Sequence, residues 1–175
     1  MSNSLSPSSA RDFLARFHGA VNAHDAEALA RLCTEDVVWT DPAAPEQLRG
    51  RDAVLRFHRD VMFRALPDVH VTLVDGPYVA DEDKIAVRLR ITGTMTGPLD
   101  PPGFAPTGSA IHFETAEFSQ LKDGRLARHT VVLDMLALAR QIGAVPPAGG
   151  IAERVSMWLQ HLAARRARHR SAIPP

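Results

Sequence analysis

The spacing of apolar residues changes character at about residue 69. Before that point it is helical. Phe13, Leu14, Phe17, Ala20 and Val21 share one face, with Ser9 as a candidate cap and Asp12 three residues on. Asp25 is placed to cap a short second helix, AEALARLC. DVVWTDP reads as a strand stopped at Asp41-Pro42. A third helix is predicted from about Asp52 to Leu66, with Val54, Leu55, His58, Val61, Met62 and Ala65 inward and Pro67 ending it. From there the period is two. VHVTLVD, KIAVRLRIT, IHFETAEFSQL and RLARHTVVLDM predict four strands.

Met135 to Ile142 reads as one or two helical turns closed by Gly143. Pro146-Pro147 and Gly149-Gly150 mark a linker, and Ile151 to Arg170 a terminal amphipathic helix. Helices first and strands later predict an α+β domain, a curved antiparallel sheet packed on helices. Three segments follow: a disordered stretch over 1–8, a cavity domain over 9–145, and a linker with a helical extension over 146–175. The Gly- and Pro-rich stretch from Gly97 to Gly108 is either a loop over a cavity mouth or a plain edge connection.

The last two predicted strands meet at Lys122-Asp123-Gly124. A three-residue hairpin there sets Gln120 opposite Leu126 and His112 opposite Asp134, with Glu114 and Arg128 on the same face. A two-residue turn would put Phe113 opposite Asp134 instead. Asp134 interrupts the apolar run Val131, Val132, Leu133, Met135, Leu136. An acid buried there would have a raised pKa, which suits general acid/base work. His112 is its expected partner.

Composition narrows the remaining classes. Twenty Lys and Arg balance 20 Asp and Glu among 175 residues, which gives no reason to expect nucleic acid as a partner. One cysteine, Cys33, excludes an intramolecular disulfide framework and a cysteine zinc site. No apolar stretch approaches a membrane span and no secretory signal is visible, so a soluble, cytoplasmic protein is the expectation. No His-Glu-x-x-His motif, phosphate-binding Gly loop or nucleophile elbow occurs.

The motifs VVWTDP, LRGRDAVLRFHRDVMFRALPDVHV, ITGTMTG, APTGSAI and LKDGRLARHTVVLDMLALARQIG resemble the SnoaL-like polyketide cyclases, of the nuclear transport factor 2-like, ketosteroid isomerase-like superfamily. The resemblance spans about residues 10 to 145. It implies a cone-shaped barrel in which a strongly curved, mainly antiparallel sheet wraps three N-terminal helices around an apolar cavity. It also implies an Asp acid/base at Asp134, no metal or organic cofactor, and a homo-oligomer. Met95, Gln120 and Thr130 stand where the family often has His, His or Arg, and Trp.

The expected function is therefore a cofactor-independent enzyme acting on an apolar, polyketide-like carbonyl substrate, either an aldol cyclase or an isomerase. Asp134 and His112 are its candidate catalytic residues. Trp39, His58, Met95 and Phe118 are candidate cavity walls. Gln120 and His18 are further candidate contacts, although His18 and His58 also fit as plain core histidines. The alternative is a small-molecule-binding or accessory protein with the same cavity and no turnover.

Overall fold

The computed structural model of the protein describes residues 5–81, 83–100 and 103–171, with side chains to residue 166. Helix α1 runs Pro7–Asn22 and α2 runs Ala26–Arg31. Strand β1 is Cys33–Thr40 and β2 the short Leu48–Arg49. The third helix is continuous but not uniform: α3, Arg51–Phe57, passes through a π-helical turn at His58–Met62 into α4, Phe63–Ala65. Strands β3 (His70–Ala80), β4 (Lys84–Thr94), β5 (Ala110–Lys122) and β6 (Arg125–Leu133) follow. Helix α5 is Met135–Gln141 and α6 is Ile151–Ser171.

The α+β architecture is the one the pattern predicts. Six strands lie in the order β2-β1-β6-β5-β4-β3. All neighbouring pairs are antiparallel except β1 with β6. The curved sheet stays open rather than closing into a barrel, with β2 and β3 as its edges. Its concave face and the helices enclose the core. Phe13, Leu14 and Phe17 of α1 pack with Val37, Trp39, Leu89 and Val131 of the sheet. Asn22 pins the end of α1 to β3: its amide accepts from Val71 N at 2.7 Å and donates to Val71 O at 3.0 Å.

Two local expectations are corrected. Ser6, not Ser9, caps α1. The Ser6 hydroxyl accepts from Ser9 N at 3.1 Å, and Pro7 supplies the fixed φ that suits a first helical position. Of the stretch 1–8, residues 5–8 are described and residues 1–4 lie outside the described ones. The hairpin turn has two residues, not three. Asp123 and Gly124 both take positive φ, 51° and 72°, as a type I′ turn requires, and Lys122 pairs with Arg125.

The stretch after β4 folds back over the helices. Thr96 N and Gly97 N both donate to Ala65 O, at 3.1 and 3.2 Å. Only glycine fits this crossing, because a Cβ on Gly97 would lie 2.0 Å from the Arg64 carbonyl oxygen. Leu99 is thereby buried against the core, and its backbone bridges Phe104. From this loop Leu99 also lines the cavity wall. Helix α6 touches the body through Glu153, which accepts from Arg140 at 2.7 Å and from Gly149 N at 2.6 Å. Its apolar residues Ile151, Val155 and Trp158 are exposed. The basic run at 165–170 lies largely outside the described side chains. Among the described residues, no helix is long and apolar enough to cross a membrane.

Candidate active site

Which face of β5 and β6 points inward decides where chemistry can occur. On β5 the buried positions are the odd ones, Ile111, Thr115, Glu117, Ser119 and Leu121. On β6 they are Leu126, His129 and Val131. A bulge between Gln120 and Leu121 advances the register by one, so Thr115 pairs with Leu133, Phe118 with Thr130 and Gln120 with Arg128.

The inward residues line a cavity of about 120 Å³ between the sheet, α1, the third helix and α5. Most of the wall is apolar, including Met62, Leu89, Met95, Leu99, Leu138 and Ile142. The polar exceptions are His18, Asp41, His58, Thr115 and Glu117, with Trp39 beside them.

Glu117 is the charged group that the fold goes furthest to accommodate. Its residue is only 8 % exposed. Oε1 accepts from the Thr115 hydroxyl at 3.2 Å, and Oε2 lies 3.3 Å from His129 Nε2. That nitrogen is near enough to pair as an ion, yet its N–H is not aligned as a hydrogen bond. Behind it, His129 Nδ1 contacts the Ser119 hydroxyl at 2.9 Å. Burial alone would raise the Glu117 carboxyl. The contact and charge of His129, the charge of His18 and the Thr115 hydroxyl outweigh burial and leave the carboxyl below its ordinary value.

Aromatic rings pack around this pair at tilted and edge-on angles. Trp39 lies 4.2 Å from His129 and 4.9 Å from His58, centroid to centroid, and Phe17 packs 5.6 Å from His129. His58 Nδ1 lies 2.9 Å from the Val54 carbonyl, which fixes that nitrogen as the donor. Burial pushes the His58 pKa down to about 4 and lowers that of His18 as well. Asp41 is opposite in sense. Burial raises its carboxyl, against the pull of the Ala43 N–H at 2.8 Å. The Trp39 indole N–H also approaches Asp41, but falls short of hydrogen-bond geometry.

The family model for SnoaL-like polyketide cyclases matches residues 11–142. The chain belongs to the SnoaL-like polyketide cyclase family. Solved structures agree on the fold. AclR of Streptomyces galilaeus, a candidate hydroxylase, superposes with a TM-score of 0.68 at 21 % identity, covering 97 % of this chain and 100 % of its own. TsrD of Streptomyces laurentii gives 0.68 at 26 %, covering 81 % and 99 %. A candidate SnoaL-like polyketide cyclase from Jannaschia sp. CCS1 gives 0.68 at 20 %, covering 80 % and 95 %. No curated protein sequence matches the chain.

Within this SnoaL-like frame the structure places Trp39, His58, Met95 and His18 together on the cavity wall. It separates the others. Asp134 is exposed at the surface and caps α5, its carboxylate accepting from Ala137 N at 2.9 Å. The apolar run around it is not a buried run: Val131 points in, whereas Val132 and Leu136 are exposed. His112 is exposed too, and it does not face Asp134, because β6 ends at Leu133. Its backbone N–H donates to Gln141 Oε1 at 2.8 Å, and its carbonyl accepts from Gln141 Nε2 at 2.9 Å. Phe118 is 53 % exposed on the outer face, and Gln120 donates to Asp83 there at 2.8 Å. Glu114 pairs on the same outer face with Arg90 at 3.1 Å and Arg88 at 3.6 Å.

Glu117 and His129 are the pair that sequence reasoning missed. The signal was in the alternation of β5. Ile111, Phe113 and Leu121 share the odd face, so the one acid among them, Glu117, had to be buried.

Proposed function

We propose that this family member is a cyclase-type enzyme in which Glu117, rather than Asp134, moves the proton. Membership of the polyketide cyclase family supports the cyclase class. The observation that carries the assignment is a buried carboxylate on the wall of an apolar cavity, backed by a buried imidazole at 3.3 Å. Glu117 accepts a proton from carbon next to a substrate carbonyl. The resulting enolate carbon attacks a second carbonyl, forming the new C–C bond, and Glu117 returns its proton to the alkoxide. His129 positions the carboxylate and steadies its charge. Asp41, its carboxyl raised by burial, holds a proton more readily and is suited to donate a hydrogen bond to a carbonyl oxygen. The exposed outer-face residues Phe118 and Val132 support the expected self-association, which sedimentation would read.

Proton abstraction is testable before the natural substrate is known. 1-Tetralone offers a slowly exchanging α-CH₂ beside a carbonyl on an apolar ring system. Protein-catalysed exchange of those hydrogens in D₂O, followed by NMR, is expected for the wild type and not for Glu117→Gln. Exchange that survives Glu117→Gln overturns the assignment.

A further inference from the structure

His58 is placed to read a hydroxyl group on whatever the cavity binds. It sits at the first residue of the π-helical turn, where an extra residue in the helix re-aims side chains, a feature often found at functional sites. Its Nδ1 lies 2.9 Å from the Val54 carbonyl oxygen. A carbonyl accepts only, so Nδ1 carries the proton. Nε2 is then a bare lone pair, and no described residue hydrogen-bonds to it. The ring is on the cavity wall beside Met62 and Trp39. Burial keeps it neutral well below the ordinary histidine range, so the acceptor is not lost to protonation near neutral pH. A fixed acceptor in an apolar wall discriminates. It gains from a ligand that brings a donor, and it is left desolvated by a ligand that brings none.

We propose that His58 Nε2 accepts a hydrogen bond from a phenolic or enolic hydroxyl on the ligand, so that the cavity selects hydroxylated apolar ring systems over otherwise equal ones. This rests on the cavity being the substrate site, but it does not require Glu117 to act as the base.

1-Naphthol and naphthalene share a ring system and differ in the donor. Calorimetric titration should show wild type favouring naphthol by roughly five- to tenfold, and His58→Phe, which keeps a ring without the acceptor, losing that preference. Glu117→Gln should retain it, which separates this inference from the proton-transfer assignment. In wild type with ¹⁵N-labelled histidine, the unprotonated Nε2 resonance of His58 should shift on adding naphthol and stay in place with naphthalene. This measurement decides the matter even where the variant folds poorly. Equal binding of the two ligands by wild type, a preference that survives in His58→Phe, or an Nε2 resonance unmoved by naphthol would each overturn the proposal.

Discussion

Glu117 Oε2 and His129 Nε2 lie 3.3 Å apart, both buried on the concave face of the sheet. Removing the carboxylate's charge should therefore separate chemistry from folding. Glu117→Gln keeps the shape and the Thr115 contact but is a far weaker proton acceptor. Tetralone exchange should fall by roughly two to four orders of magnitude, while circular dichroism should show the fold retained.

Asp134 makes the opposite prediction. It serves as a helix cap, so Asp134→Ala should cost about 1 kcal/mol in a urea melt. Asp134→Asn, which also caps well, should leave both stability and exchange close to wild type. A large loss of exchange in Asp134→Asn, with the fold intact, would return the acid/base role to that residue.

His58 sets a pH dependence of stability. Its folded pKa, about 4, lies below the unfolded value of 6.5, so between them the unfolded chain binds a proton that the native chain refuses. Stability must then fall as pH drops through that window, by up to about 3 kcal/mol from this group. His18, shifted the same way, adds to the slope. Glu117 acts lower still. Its depressed carboxyl contributes stability that is present above the ordinary carboxylate value and lost as pH falls through the folded one. Urea melts at pH 7 and pH 5 should show the first effect, and His58→Phe should flatten it.

Gly97→Ala tests the loop that roofs the cavity. The added methyl would meet the Arg64 carbonyl, so either the loop or α4 must move. A loss of about 2 kcal/mol or more in a urea melt is expected, together with weaker naphthalene binding, because Leu99 lines the cavity from this loop.

The strand order of hydrophobicity made the four long strands, the Asp25 cap and the third helix legible. Asp25 does accept from Ala28 N, at 2.7 Å. The shared outer face of His112, Glu114, Gln120 and Arg128 was also legible, because the turn's missing residue and the bulge beyond it cancel in parity. What periodicity did not supply is which of two faces the helices cover. Asp134 drew notice because its chain neighbours are apolar. In a strand, however, neighbours point to opposite sides, and the relevant company is two residues away. By that measure Glu117, between Thr115 and Ser119 and flanked further out by Phe113 and Leu121, is the anomalous acid. The π-helical turn at His58 left no mark in the apolar spacing, since one extra residue shifts the inner face by less than a third of a turn.

The two hydrogen bonds between Gln141 and the backbone of His112 give the cavity's end wall an unusual attachment. Where β6 stops, a side-chain amide stands in for the missing peptide unit and continues the ladder on β5. Leu138 and Ile142 reach the cavity from the segment that this one amide moors. The end wall is thus a hung panel rather than part of the frame. Its residues can be exchanged, and the space for ligand recut, without disturbing the register of any strand.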